Sequence, residues 1–137
     1  MQQYAQAMKI LNVALLKACF TTDAKMEVLI KDVKGSKQTL TIEAYFQMVE
    51  PAWLDLKAKA KKHQIPISDV YQITVGSNAI KMYPGKALVT NKTTEKVTLL
   101  GKTILENRAD QSMLIVLEQG KAKIKGVIST MEKTRQE

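Results

Sequence analysis

The feature that most constrains the fold is a change of hydrophobic period near Ile67. Beyond this point apolar and polar residues alternate over long segments, which is typical of β-strands that bury one face. Turn-forming residues separate the segments, namely Gly76 to Asn78, Pro84 and Gly85, Leu100 to Lys102, and Gln119 and Gly120. The pattern predicts long antiparallel strands joined by short turns.

The alternation also assigns side chains to the two faces of the predicted sheet. In the segments 86–100 and 102–118 the odd-numbered positions carry most of the apolar residues, so we expect these positions to face the core. In the last segment, 121–130, the predicted core-facing residues are Ala122, Ile124 and Ile128. The opposite face is expected to meet water.

The N-terminal half has helical rather than alternating spacing. Residues 2–20 repeat apolar side chains at helical intervals and predict one largely buried first helix. A short strand follows around Met26 to Ile30, and Thr41 is placed to cap a second helix that ends near His63. Pro51 lies inside that helix, so we expect a kink or two abutting helices there.

Size and composition favour one compact domain over residues 1–137. The chain is 45% hydrophobic and 25% charged, which is ordinary for a globular protein, and it shows neither an internal repeat nor a linker. The element order is helix, strand, helices and then a strand meander. The predicted fold class is therefore α+β.

Four stretches carry a resemblance to a known superfamily. They are TTDAKMEVLIKDVKG (21–35), TIEAYFQMVEPAW (41–53), VTLLGKTI (97–104) and MLIVLEQGKAKIKGVI (113–128). Together with the element order, they resemble small bacterial members of the nuclear transport factor 2-like superfamily. The resemblance implies a cone-shaped, curved antiparallel sheet wrapped around the N-terminal helices. Members enclose a pocket that serves enzymes such as ketosteroid isomerase, ligand binding, or dimer-forming scaffolds, so the fold alone does not choose a function.

A polar cluster is predicted on the inner face of the sheet. If odd positions face inward, Asn91, Thr93 and Glu95 do so together with Asn107 and Gln111 on the next strand. Such a cluster lines a polar pocket, for which Tyr45 and Trp53 supply the apolar wall. Alternatively, a bulge reverses the register and places Glu95 in water, because a one-residue slip exchanges the two faces.

Asp32 is the candidate catalytic residue that the resemblance implies. In the isomerases of this superfamily a carboxylate near the end of the first strand abstracts a proton, and Asp32 stands at that place. The family's Asp-Pro-Val-Gly pattern has proline where this chain has Val33. The tyrosine and neutral carboxylic acid that stabilise an enolate have no recognisable counterpart here.

Residue counts exclude several other kinds of site. One histidine, His63, rules out a histidine-rich metal site or a catalytic triad, and one cysteine, Cys19, lies in an apolar segment and reads as a core residue. Neither a glycine-rich phosphate loop nor zinc-ligand spacing is present. We therefore expect no metal and no cofactor.

The net charge of +8 raises the question of an anionic partner. The basic residues are scattered along the chain, with one group of lysines late in a helix, at 57–62, and another at alternate positions of a strand, at 121–125. No stacking platform accompanies them. This distribution argues against nucleic acid. The longest apolar segment is too short for a membrane span.

These observations favour a non-enzymatic binding or scaffold domain that holds a small apolar ligand and forms a homodimer through the outer face of its sheet. The alternative is a ketosteroid isomerase-like or other small-molecule enzyme that uses a pocket carboxylate. Small bacterial relatives are often exported. The resemblance therefore implies a periplasmic location if a signal was removed ahead of Met1, and a cytoplasmic location otherwise.

Overall fold

The computed structural model describes residues 2–76 and 79–136 and confirms the α+β class. Within these described residues, four helices and seven strands follow one another. They are α1 (Gln2–Ile10), α2 (Val13–Lys17), β1 (Phe20–Ile30), β2 (Gln38–Thr41), α3 (Ile42–Lys62), α4 (Ile67–Val70), β3 (Tyr71–Val75), β4 (Ala79–Tyr83), β5 (Lys86–Leu99), β6 (Lys102–Glu118) and β7 (Lys121–Gln136). Within the described ranges, none of the helices is long and apolar enough to cross a bilayer.

All seven strands belong to one curved, unclosed sheet in the order β2-β1-β7-β6-β5-β3, and β4 also pairs with β5. The pairing is antiparallel except between β1 and β7, which run parallel. The expectation of a wholly antiparallel sheet is therefore wrong at this one pair. No short turn connects β1 to β7, so the alternation of side chains carries no information about their relative direction.

The hairpin turns lie where the sequence predicts them. Leu100 and Gly101 have φ angles of 51° and 78°, and Gln119 and Gly120 have φ angles of 53° and 78°. Two consecutive positive φ angles produce a turn whose twist matches that of the flanking strands. These two turns set the register of the long strands β5, β6 and β7.

The predicted single first helix is wrong in its length. Leu11 adopts a φ of 54°, and the Asn12 side chain then accepts a 3.0 Å hydrogen bond from the backbone N–H of Leu15. This cap starts α2 as a separate helix, because asparagine competes with the backbone for hydrogen bonds. The strand β1 then begins at Phe20, earlier than its apolar alternation indicates.

The second predicted helix is confirmed as α3. The Thr41 hydroxyl oxygen accepts a 3.1 Å hydrogen bond from the Ala44 backbone N–H and so caps the helix. α3 continues through Pro51 as one element, so the alternative of two abutting helices is wrong. His63 is the C-terminal cap residue.

A bulge in β7 changes which residues face the core. Opposite β6, the register shifts between Leu114, which pairs with Gly126, and Ile115, which pairs with Ile124. The extra residue exchanges the two faces of the strand beyond this point, so Val127 is buried and Ile128 is 50% exposed. The expected burial of Ile124 is confirmed, whereas the expected burial of Ala122 and Ile128 is wrong.

The N-terminal helices cover the inner face of the sheet. Tyr4, Ala7 and Leu11 of this region are buried and belong to the same hydrophobic cluster as Val89 and Met113 of the sheet. The cluster continues through Leu16 of α2 and Trp53 of α3 into β1 and β7. The core therefore lies between the helices and the concave side of the sheet, as expected.

Candidate ligand-binding site

Between the helices and the inner face of the sheet lies a cavity of about 220 Å³. Liquid water would fill this volume with roughly seven molecules at about 30 Å³ each. The lining is apolar on most sides and polar along β5 and β6. It consists of Tyr4, Met8, Met26, Val28, Tyr45, Val49, Trp53, Ile73, Thr93, Glu95, Asn107, Arg108, Ala109, Gln111, Ser129 and Met131.

The register of β5 and β6 brings the polar side chains into the cavity. Glu95 pairs with Asn107, and Thr93 pairs with Ala109, without interruption from Lys86 to Val97. The register shift of this pair comes only between Val97 and Thr98, beyond Glu95. Glu95 therefore faces inward rather than into water, which is the first of the two arrangements that the sequence allows.

Glu95 is held by two hydrogen bonds from different strands. The Tyr71 hydroxyl donates to Glu95 Oε2, and the Asn107 side-chain nitrogen donates to Glu95 Oε1 at 3.3 Å. Tyr71 is 3% exposed and Asn107 is 7% exposed, so both donor residues are buried. Hydrogen bonds to a carboxylate are stronger than those between neutral groups, and they fix the position of Glu95.

Three tyrosines surround this carboxylate and remain protonated at neutral pH. Burial, followed by the negative charge of Glu95, raises the pKa of Tyr4 to about 12, although a side-chain hydrogen bond with Gln111 acts in the opposite direction. Burial also raises the pKa of Tyr45 and of Tyr71, and the Glu95 charge adds to both effects. The cavity thus presents neutral phenols beside one carboxylate.

Several polar atoms around the cavity have no hydrogen-bond partner. In the described part of the chain these are Asn107 Oδ1, Gln111 Oε1, and both polar atoms of the Asn91 side chain. A buried polar group without a partner costs free energy, and most such groups in native proteins are satisfied. These atoms therefore need a partner that the chain itself does not supply.

The structure places most of the predicted pocket residues on the cavity wall. Tyr45, Trp53, Thr93, Glu95, Asn107 and Gln111 line it. Asn91 is buried opposite Gln111 but lies outside the lining. Asp32 is exposed in the turn after β1, with a φ of 63°, and also lies outside the lining.

Sequence reasoning missed Tyr4, Met8 and Tyr71 as parts of the site. Tyr4 and Met8 are spaced one helical turn apart on the buried face of α1, which was the signal that could have placed them against the sheet. Tyr71 begins β3, opposite Val97, where an aromatic residue looks like ordinary strand packing. Its hydroxyl reaches Glu95 only because β3 and β5 are neighbours.

The remaining reactive side chains stand apart from the cavity. Cys19 is buried, its thiol donates to the Leu15 carbonyl oxygen at 3.3 Å, and burial raises its pKa. His63 is exposed at the end of α3. Among the described residues, no three His, Cys, Asp or Glu side chains come together as a metal site would require.

Solved bacterial structures share this fold. An NTF2-like protein from Cytophaga hutchinsonii matches with a TM-score of 0.67 at 13% identity, covering 94% of this chain and 89% of its own. A protein with a cystatin-like fold from Caulobacter vibrioides matches with a TM-score of 0.61 at 15% identity, covering 95% and 82%. A putative ketosteroid isomerase from Shewanella frigidimarina also has a TM-score of 0.61, at 14% identity, covering 94% and 90%.

The resemblance seen in the sequence is thus confirmed at the level of the fold, which is NTF2-like. No protein-family model matches the chain, and no curated protein matches it. Identities this low carry no activity from one protein to another, so function has to be argued from the cavity itself.

Proposed function

We propose that the chain is a non-enzymatic binding domain that holds a small, largely apolar molecule in the cavity between α1, α3 and the sheet. The observation that carries this proposal is the cavity's lining. Apolar side chains such as Met26, Val49 and Trp53 surround a short row of fixed polar groups around Glu95. An apolar wall with a few placed polar atoms is the usual composition of a small-molecule site.

The size of the cavity limits the ligand. Its volume of about 220 Å³ lies below the roughly 300–1,000 Å³ of sites for drug-sized molecules. A single six-membered ring with one substituent suits this space, whereas a four-ring steroid exceeds it. The proposed ligand is therefore much smaller than a steroid.

The proposal is tested by calorimetric titration with three ring compounds of similar size: cyclohexylamine, cyclohexanol and cyclohexanecarboxylate. Val28 lines the cavity, so Val28→Phe is expected to weaken binding at least about tenfold by filling it. Val33 is 54% exposed in the turn after β1 and provides the matched control, Val33→Phe, which should bind like the parent. Binding that survives Val28→Phe unchanged, or no binding of any probe, overturns the proposal.

We further propose that two copies associate through the outer face of the sheet, the face that carries Lys92, Asp110 and Ile128. Ile128 is 50% exposed and lines an open depression on this face together with Lys92 and Asp110. An apolar side chain surrounded by residues of both charges suits a self-complementary, two-fold contact. Sedimentation should show a dimer that Ile128→Lys converts to a monomer and that Leu100→Lys, at an exposed hairpin tip, leaves intact. A monomer at micromolar concentration contradicts this proposal.

The second candidate is an enzyme that uses Glu95 as a base, and the place of this carboxylate on the cavity wall favours it. The hydrogen bonds from Tyr71 and Asn107 hold Glu95 in a fixed position on this wall, as a general base needs. The test is α-proton exchange of cyclohexanone in deuterium oxide, followed by NMR. Acceleration that disappears in Glu95→Gln establishes the enzyme, whereas equal rates for the parent and this variant support the binding domain.

A further inference from the structure

The unpaired atoms on the cavity wall are mainly hydrogen-bond acceptors. The Asn107 amide nitrogen is committed to Glu95, which fixes the orientation of this amide and leaves Oδ1 without a partner. Gln111 Oε1 is likewise buried without a hydrogen-bond partner. The side-chain oxygens of Asn107 and Gln111 therefore both lack a group that donates a hydrogen bond to them.

The charged side chain in the cavity also favours a ligand that donates hydrogen bonds. Glu95 is the one acidic side chain among the described residues that line it. Arg108 also borders the cavity, but it pairs with Thr94, and both are exposed on the outer face. The rings of Tyr4, Tyr45 and Trp53 add electron-rich faces, which attract cations. The interior is thus electronegative although the whole chain carries a charge of +8.

We infer that the ligand is a small protonated amine on an apolar body. This inference rests on the proposed binding function and specifies its ligand. The ammonium group supplies the donors that Asn107 Oδ1 and Gln111 Oε1 lack, and it neutralises Glu95. The hydrocarbon part packs against Met8, Met26 and the other apolar side chains of the wall.

Other ligand chemistries fit this set of atoms less well. A carboxylate or phosphate would lie beside Glu95, whose negative charge repels it, and the unpaired Asn107 Oδ1 and Gln111 Oε1 are acceptors that do not bind another acceptor. A neutral alcohol has one hydrogen-bond donor for two acceptors, and it carries no positive charge to balance the negative charge of Glu95. Asn91 has both a donor and an acceptor unpaired and so does not discriminate among these classes.

The same three probes test the inference at pH 7, where cyclohexylamine is protonated. On the unmodified protein it should bind at least about tenfold more tightly than cyclohexanol, because charge-assisted hydrogen bonds are roughly twice as strong as neutral ones. Cyclohexanecarboxylate should bind most weakly. This comparison needs no variant and therefore stands even if a substitution disturbs folding.

A variant then assigns the preference to the carboxylate. Glu95→Gln keeps the size of the side chain and should lower cyclohexylamine affinity at least about tenfold while changing cyclohexanol affinity by less than about threefold. Glu118→Gln, at the exposed end of β6, is the matched control and should leave both affinities unchanged.

The possible outcomes distinguish failure of the amine inference from failure of the proposed binding function. Binding of cyclohexanol or cyclohexanecarboxylate at least as tight as that of cyclohexylamine overturns the amine inference and leaves the binding domain standing. An amine preference that persists in Glu95→Gln also overturns it. If none of the three compounds binds, the proposed function itself fails and the inference fails with it.

Discussion

The hydrogen bond between Tyr71 and Glu95 holds the site together, and a double-mutant cycle measures it. The two single variants are Tyr71→Phe and Glu95→Gln, each of which keeps the size of its side chain. In the parent protein, Tyr71→Phe removes the donor to Glu95 Oε2 at a residue that is 3% exposed. We expect the two substitutions to be strongly non-additive.

The magnitude follows from the charge on the acceptor. A hydrogen bond to a charged group contributes about 1.5–3 kcal/mol, and a neutral one contributes about 0.5–1.5 kcal/mol. Tyr71→Phe should therefore lower the free energy of unfolding by about 2 kcal/mol in the parent and by about 1 kcal/mol in the Glu95→Gln background. The expected coupling free energy is the difference, about 1 kcal/mol.

Urea unfolding at pH 7 measures these values, and the fluorescence of Trp53 reports on it. Trp53 is the single tryptophan of the chain and is 6% exposed, so unfolding changes its surroundings strongly. Tyr83→Phe is the control, because Tyr83 is 46% exposed on β4 and should show no coupling to Glu95. A coupling below about 0.3 kcal/mol, within the usual limit of additivity, would refute the inward register of β5.

Three further predictions concern stability. The raised pKa of Tyr4, about 12 against 10.0, corresponds to a contribution of about 3 kcal/mol to the free energy of unfolding. This contribution is fully present below pH 10 and is lost as the pH rises through 12. In urea unfolding, the difference in free energy of unfolding between the parent and Tyr4→Phe should therefore shrink over that range. Leu16→Ala, at a fully buried position, should cost about 2–5 kcal/mol by calorimetry, and a loss below about 1 kcal/mol contradicts the described packing of α2. Leu100→Asn should gain about 0.5–1 kcal/mol in thermal unfolding, because Leu100 is exposed and has a φ of 51° that asparagine tolerates better, whereas a loss contradicts this turn geometry.

Local pattern was enough for the long strands and for most of the polar cluster. Period-two alternation places Thr93 and Glu95 on one face as long as no bulge intervenes, and the uninterrupted pairing of β5 with β6 meets that condition. The same reasoning failed in β7, where one bulge turned Ile128 outward. A bulge depends on both strands of a pair, so the alternation of one strand does not reveal it.

Contacts between distant parts of the chain were beyond the sequence pattern. The parallel pairing of β1 with β7 joins strands that are about 90 residues apart in the chain, and no turn residue indicates it. Tyr71 belongs to the site only because β3 lies beside β5. The resemblance pointed to Asp32 as the carboxylate, but the carboxylate in the cavity is Glu95, which the strand register alone had already brought inward.

A binding domain of this kind requires that a small molecule enters the cavity. The chain has seven methionines, of which Met8, Met26 and Met131 line the cavity, whereas Met48 and Met82 are 60% and 76% exposed. Labelling the methionine methyl groups with carbon-13 therefore places both probes and controls in one NMR spectrum. Addition of cyclohexylamine is expected to shift the signals of Met8, Met26 and Met131 saturably and to leave those of Met48 and Met82 in place. Unchanged signals from the three cavity methionines, or larger shifts at the two exposed ones, would contradict entry of the ligand into the cavity.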